Sequence, residues 1–211
     1  MSISVAPVGH SRIVSVGTYR PKRTVPNSEI VDRIDSTDEW IVQRTGIESR
    51  RFAGPDESVV DMAIGAAEQA LARAKLTIKD IDSVIVATIT YPHQAPSAAT
   101  ALIQRMGNPT AAAFDISAAC AGFCYGVAMA HDFVRAGSAK KVLVVGVEKI
   151  SDFTDPTDRA TAFIFADGAG AVVIGQSDQP RIGQTIWGSD ADSRDAITLT
   201  LGITLAAGSQ I

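Results

Sequence analysis

A chain of 211 residues is long enough for one large domain or two small ones, and a formal charge of −4 offers no basic field for gripping nucleic acid. With 46% apolar and 20% charged residues the composition is that of an ordinary globular α/β protein, not of a disordered segment. The longest stretch without a charge, Ile116 to Ala130, is too short for a bilayer, which takes about 20 residues, so no membrane partner is expected.

Met1 to Gly9 lacks the regions of a signal peptide, and a cytoplasmic location is the expectation. Only two cysteines occur, four positions apart, which suits a reducing compartment. With His10, His93 and His131 as the only histidines, no metal site and no cofactor are expected.

Arg12 to Tyr19 reads as a first strand, ended by Pro21. Ser36 and Glu39 have the spacing of a capping box, which predicts a helix over Trp40 to Arg44. Ser58 caps a longer helix reaching Ala74, with Val59, Met62, Ala63, Ala66, Ala70 and Ala74 at helical spacing. Ser83 to Thr90 is a β-branched run and reads as a buried strand. Pro96 and Ser97 open a short helix ending near Gly107, and Ala111 to Ile116 is a third strand. Ala118 to Ala136 follows as a helix, then Val142 to Val147 and Gly170 to Gly175 as strands. Strands alternating with helices predict an α/β fold with a mostly parallel five-stranded sheet and helices on both faces. The pattern weakens from Trp187 onward, which leaves residues 198–211 as an unplaced tail.

Cys120 falls just past a buried strand, at the start of a helix, among residues no larger than Ala. A helix N-terminus favours negative charge by up to about 2 kcal/mol, which raises the fraction of reactive thiolate. Small neighbours leave room for a substrate carbonyl. The bland alternative is that Cys120 is a small buried hydrophobe, as free cysteines usually are. That reading is preferred for Cys124, one helical turn further in beside Phe123 and Tyr125.

Three stretches then resemble one enzyme family. Asp35 to Ile47 (DSTDEWIVQRTGI) is similar to the signature near the N-terminus of β-ketoacyl-acyl-carrier-protein synthase III, of the thiolase superfamily. Ser117 to Phe123 (SAACAGF) resembles its nucleophile turn, and Asp155 to Arg159 with Phe165 to Ala171 its third block. Their order and spacing agree from about Arg12 to Ile197.

The resemblance implies a thiolase-like domain over residues 1–197, one αβα half of a duplicated fold. It implies a homodimeric acyltransferase that starts fatty-acid synthesis. Acyl-CoA would acylate Cys120, and malonyl-acyl-carrier protein would then be decarboxylated and attack the acyl-enzyme. Trp40 and Arg159 would sandwich the adenine of CoA, with Arg44 assisting, and Ala95 would lie at the end of the acyl pocket. Physically an indole gives a stacking face, and a guanidinium stacks and binds phosphate at once. Otherwise Trp40 is a core ring beside ion pairs among Asp38, Glu39 and Arg44. A secondary-metabolism acyltransferase and a non-catalytic module are the alternatives.

The family draws a catalytic His and Asn from its second half, in motifs of the type HQAN and HGNTSA, and neither occurs in these 211 residues. A fragment, or a truncated or frameshifted reading frame, is the expectation, with condensation absent from this chain alone. Gly168-Ala169-Gly170 is not a dinucleotide loop, because an apolar strand follows it where a helix is required.

Overall fold

The structure, a computed structural model, describes residues 9–198. Most of the tail expected to be unplaced therefore lies outside the described residues.

In chain order the elements are β1 (His10–Tyr19), β2 (Arg23–Pro26), α1 (Asp38–Thr45), β3 (Ser49–Phe52), α2 (Val59–Ala74), β4 (Ser83–Ala87), α3 (Ala98–Met106), β5 (Ala112–Ile116), α4 (Gly122–Ala136), β6 (Lys141–Glu148) and β7 (Gly168–Ser177). Five strands form one sheet in the order β1-β7-β6-β4-β5. β4 runs parallel to both β5 and β6, whereas β7 runs antiparallel to β6 and to β1. Four strands thus point one way and β7 the other, so the mainly parallel sheet expected is a mixed one. The reason lies in the connections. Helices return the chain between β4, β5 and β6, while residues 149–167 lead from β6 into β7 without an α-helix. β2 and β3 pair as a separate antiparallel ribbon that periodicity did not reveal.

The sheet separates two apolar layers by residue parity. Val84 and Val86 face α2 and α3, together with Leu143, Val145 and Val173. Ile85 faces α4 with Val142, Val144, Val172 and Ile174. Each such side chain, fully buried, is worth about 1.5–3 kcal/mol. Ala63, Ala66, Ala67 and Ala70 let α2 lie close on the sheet. The approach is closest at Gly17, where an added Cβ would sit 2.1 Å from the Ala66 carbonyl oxygen.

Ser58 caps α2 as expected, with Asp61 completing the capping box. The cap of α1 differs. Thr37, not Ser36, accepts the Trp40 N–H, and the Ser36 hydroxyl is buried without a partner. Adjacent Ser and Thr both qualify as caps, and spacing alone does not choose between them. β4 ends at Ala87, three residues short of expectation: Thr88 N–H makes the last bond to β5, at the Ile116 carbonyl, and the amides that follow turn to side chains, Ile89 N–H to the Glu148 carboxylate and Thr90 N–H to the Thr88 hydroxyl.

Candidate active site

Cys120 follows β5 but does not lie in the first turn of the α-helix. A single 3-10 turn, Ala119–Ala121, comes first, and α4 starts at Gly122. Ala119 has φ +43°, a left-handed conformation that costs a non-glycine residue about 1–3 kcal/mol. Such strain persists where the surroundings enforce it. Three residues on, Gly122 packs close on β4, where an added Cβ would stand 3.1 Å from the Ala87 Cβ. The turn holds the Cys120 thiol exposed. Cys124 is exposed as well, against the expectation of a buried hydrophobe, because its face of α4 points away from the sheet.

Trp40, Arg44 and Arg159 come together. The Arg44 guanidinium carbon lies 4.9 Å and that of Arg159 5.8 Å from the Trp40 ring centroid. Trp40 is half-buried and meets Phe163 edge-on at 5.5 Å. Arg159 donates to the Asp35 backbone carbonyl at 2.6 Å, which tethers it to the segment just before α1. The ion pairs weighed for Asp38, Glu39 and Arg44 are not formed among the described residues; Asp38 accepts from Asn27 instead, at 2.6 Å. Two turns frame Arg159. The Thr157 N–H and hydroxyl hold the Asp155 carboxyl below the usual carboxylate range, and the Thr161 hydroxyl does the same for Asp158.

What aligns these pieces is a buried node that sequence reasoning missed. Arg50 is only 5% exposed and donates to the carbonyls of Val25 and Phe163 and to the Asn27 side chain. Asn27 in turn donates to Asp38 in the first turn of α1 and to the Ile47 carbonyl. The node therefore joins the helix bearing Trp40 to the segment bearing Arg159. An arginine in a short strand has the sequence signature of a surface residue, and nothing in the pattern marks Arg50 as buried.

Ala95 is exposed in the connection between β4 and α3 and is not part of the Trp40 stack; nor is Cys120. A cavity of about 220 Å³ opens between Arg33, Phe52, Thr154 and Phe165, and none of the expected site residues lines it. His131 is buried with Nδ1 2.6 Å from the Ser11 hydroxyl, and His93 packs edge-on against Tyr91. Gly168-Ala169-Gly170 opens β7, so no phosphate-binding turn forms there. Among the described residues no cluster of three or more His, Cys, Asp or Glu could hold a metal ion, and no helix is long and apolar enough to cross a membrane.

Comparisons with known proteins bear on the family and the fold. Residues 114–191 match the family described as 3-oxoacyl-[acyl-carrier-protein] synthase III. The chain is 52% identical to a β-ketoacyl-[acyl-carrier-protein] synthase III from Streptomyces coelicolor, over 91% of this chain and 56% of that protein. A synthase III from Kocuria rhizophila is 50% identical, over 94% of this chain and 56% of its own length. Among solved structures, the priming β-ketosynthase of the R1128 polyketide pathway superimposes with a TM-score of 0.88 at 44% identity, covering 92% of this chain and 58% of that one. The synthase III of Aquifex aeolicus gives 0.78 at 42% identity, covering 80% and 55%. The chain spans a little over half the length of these relatives. In sequence and in fold it is a relative of the β-ketoacyl-[acyl-carrier-protein] synthase III family, with the thiolase-like architecture of those enzymes.

Proposed function

We propose that this chain carries the acyl-accepting part of a condensing enzyme of the synthase III type, with Cys120 as nucleophile and acyl-CoA as acyl donor. The observation that carries the reading is the exposed thiol on a strained turn between β5 and α4. The Cys120 thiolate adds to the thioester carbonyl of acyl-CoA, the tetrahedral oxyanion collapses, and the C–S bond to CoA breaks. CoA leaves as a thiolate that takes up a proton, and the acyl group stays on sulfur. The Trp40 ring, with the guanidinium groups of Arg44 and Arg159, takes the nucleotide end of CoA. Stacking supplies apolar area there, and the two cations face the phosphates.

In the second half-reaction malonyl-acyl-carrier protein loses CO2, and its α-carbon attacks the acyl-cysteine. A carbon–carbon bond forms and Cys120 is released as thiolate. Negative charge develops on the malonyl thioester oxygen in that step and needs aimed donors. The His and Asn that the family uses for it have no counterpart motif in these 211 residues. The homodimer of the family, and a cytoplasmic setting, belong to the same proposal.

A second reading shares the acyl-enzyme but differs in pathway: priming of polyketide synthesis. The similarity to the R1128 priming ketosynthase favours it. Release of free CoA from acyl-CoA, followed with a thiol reagent and compared with Cys120→Ser, tests the shared step. Burst release in the parent protein and none in Cys120→Ser is the expected result. Equal release by both sinks the proposal. The range of acyl-CoA donors and of carrier proteins accepted then separates fatty-acid from polyketide priming.

A further inference from the structure

We infer that Glu148 is a positioning residue of the acyl-accepting site: its carboxylate pins the chain leaving β4 against the turn that carries Cys120. The inference rests on the role proposed for Cys120 and concerns a residue that role does not use. Residues 88–97 join β4 to α3 at the carboxyl ends of the parallel strands, the edge where open α/β sheets bind ligands. Glu148 ends β6 at that edge. Its carboxylate accepts the Ile89 N–H at 3.0 and 3.2 Å, the Thr90 hydroxyl at 2.5 Å and the Thr88 hydroxyl at 3.3 Å. Thr90 Oγ1 also accepts the Lys149 N–H at 2.9 Å, so two consecutive residues of one strand end grip the same threonine.

The far end of the segment is held by a second carboxylate. Asp115 of β5 accepts the N–H groups of Ala98 and Ala99 at 2.6 and 2.8 Å, in the first turn of α3. Between the two clamps Pro92 to Pro96, including Ala95, are exposed. Contact with the Cys120 turn is direct. Thr88 N–H donates to the Ile116 carbonyl at 3.2 Å, and Gly122 rests on Ala87. Cys120 lies in the chain between those two anchor points.

Holding a carboxylate away from water is costly unless its hydrogen bonds are made. Burial pushes the Glu148 pKa up, and among the described residues no cation pairs with it. Every hydrogen bond it makes goes to three consecutive residues, Thr88 to Thr90. The carboxylate thus fixes where this segment starts relative to Cys120, and with it the space beside the thiol.

The test compares Glu148→Ala, Glu148→Gln and Thr90→Val in a Cys124→Ser background, so that only Cys120 reports. Rates of Cys120 alkylation are measured with iodoacetamide, which is small, and with a maleimide bearing a long alkyl chain. Acylation by acyl-CoA of increasing chain length is followed in parallel. Glu148→Ala is expected to change the maleimide-to-iodoacetamide rate ratio by about tenfold, the scale of loss from small misplacements. Glu148→Gln, which keeps a carbonyl acceptor, is expected to stay within about twofold of the parent, with Thr90→Val between. The acyl-CoA chain-length profile follows the same order.

An unchanged ratio in folded Glu148→Ala overturns the inference, as does an equal change in Glu148→Gln. Where Glu148→Ala does not fold, Thr90→Val decides, and no shift there overturns it. A parent protein that takes no acyl group while the reagent ratios follow the expected order refutes the role of Cys120, not the positioning by Glu148.

Discussion

Truncating Trp40 to alanine removes the surface on which the proposed nucleotide site is built. The indole now carries two guanidinium groups, at 4.9 and 5.8 Å from its centroid. Each is worth about 0.5–1 kcal/mol at a partly exposed ring. These contacts exist without ligand, so the part of the loss that depends on CoA is the stacking of adenine, about 1–3 kcal/mol. At 1.36 kcal/mol per factor of ten, that is a rise in Kd of about fivefold to about 150-fold. The ring also meets Phe163 edge-on at 5.5 Å, so Trp40→Ala costs stability as well. Arg159→Ala keeps the Phe163 contact, and Trp40→Phe keeps an aromatic face. Calorimetric titration of CoA into all three variants, with thermal melts alongside, separates binding from folding. The largest loss is expected for Trp40→Ala, with smaller ones for the other two. Unchanged CoA affinity in both Trp40→Ala and Arg159→Ala, with melting intact, refutes the placement of CoA.

Ala95→Phe is expected to shift acyl-CoA preference toward shorter chains, since each CH₂ buried in an apolar pocket is worth about 0.8 kcal/mol; an unaltered chain-length profile counts against the pocket assignment. His131 makes stability fall in acid. Burial, and then the Arg135 charge, hold its pKa below the ordinary 6.5, so the unfolded chain takes up the proton first and stability present above about pH 6.5 is lost below it. Urea midpoints at pH 7.5 and 5.5 should differ less in His131→Asn than in the parent, and an equal difference removes His131 as the cause. A polypeptide of these 211 residues is expected to stop at the acyl-enzyme. Two missing oxyanion donors, each worth about 2.7–4 kcal/mol, cost about four to six powers of ten in condensation, so CO2 release at the rate of a full-length relative would contradict the assignment of those donors.

The sheet and its helices were legible because their signals are local. Ser58 with Asp61, Ser97 with Gly107, and the apolar run at Val84 to Val86 each mark an element by spacing or residue type. The reversed direction of β7 was not legible, since periodicity carries no strand direction. Nor was the β2–β3 ribbon, whose four-residue strands are too short to show a period. At the site, the motif resemblance placed Trp40, Arg44 and Arg159 in one cluster, and the structure brings them together. The side chains that hold the site in shape escaped notice. Arg50, Asn27, Asp115 and Glu148 act through hydrogen bonds to partners between 11 and 113 residues away. Such long-range bonds leave no trace in composition or spacing.

Mapping the acyl group itself tests the account most directly. The protein is incubated with acyl-CoA, digested at acidic pH to preserve thioesters, and analysed by peptide mass spectrometry. The account predicts one acyl adduct, on the peptide containing Cys120, lost in Cys120→Ser and retained in Cys124→Ser. Both thiols are exposed, so access alone does not favour either. An adduct on Cys124, equal labelling of the two, or no thioester on a folded protein would contradict it.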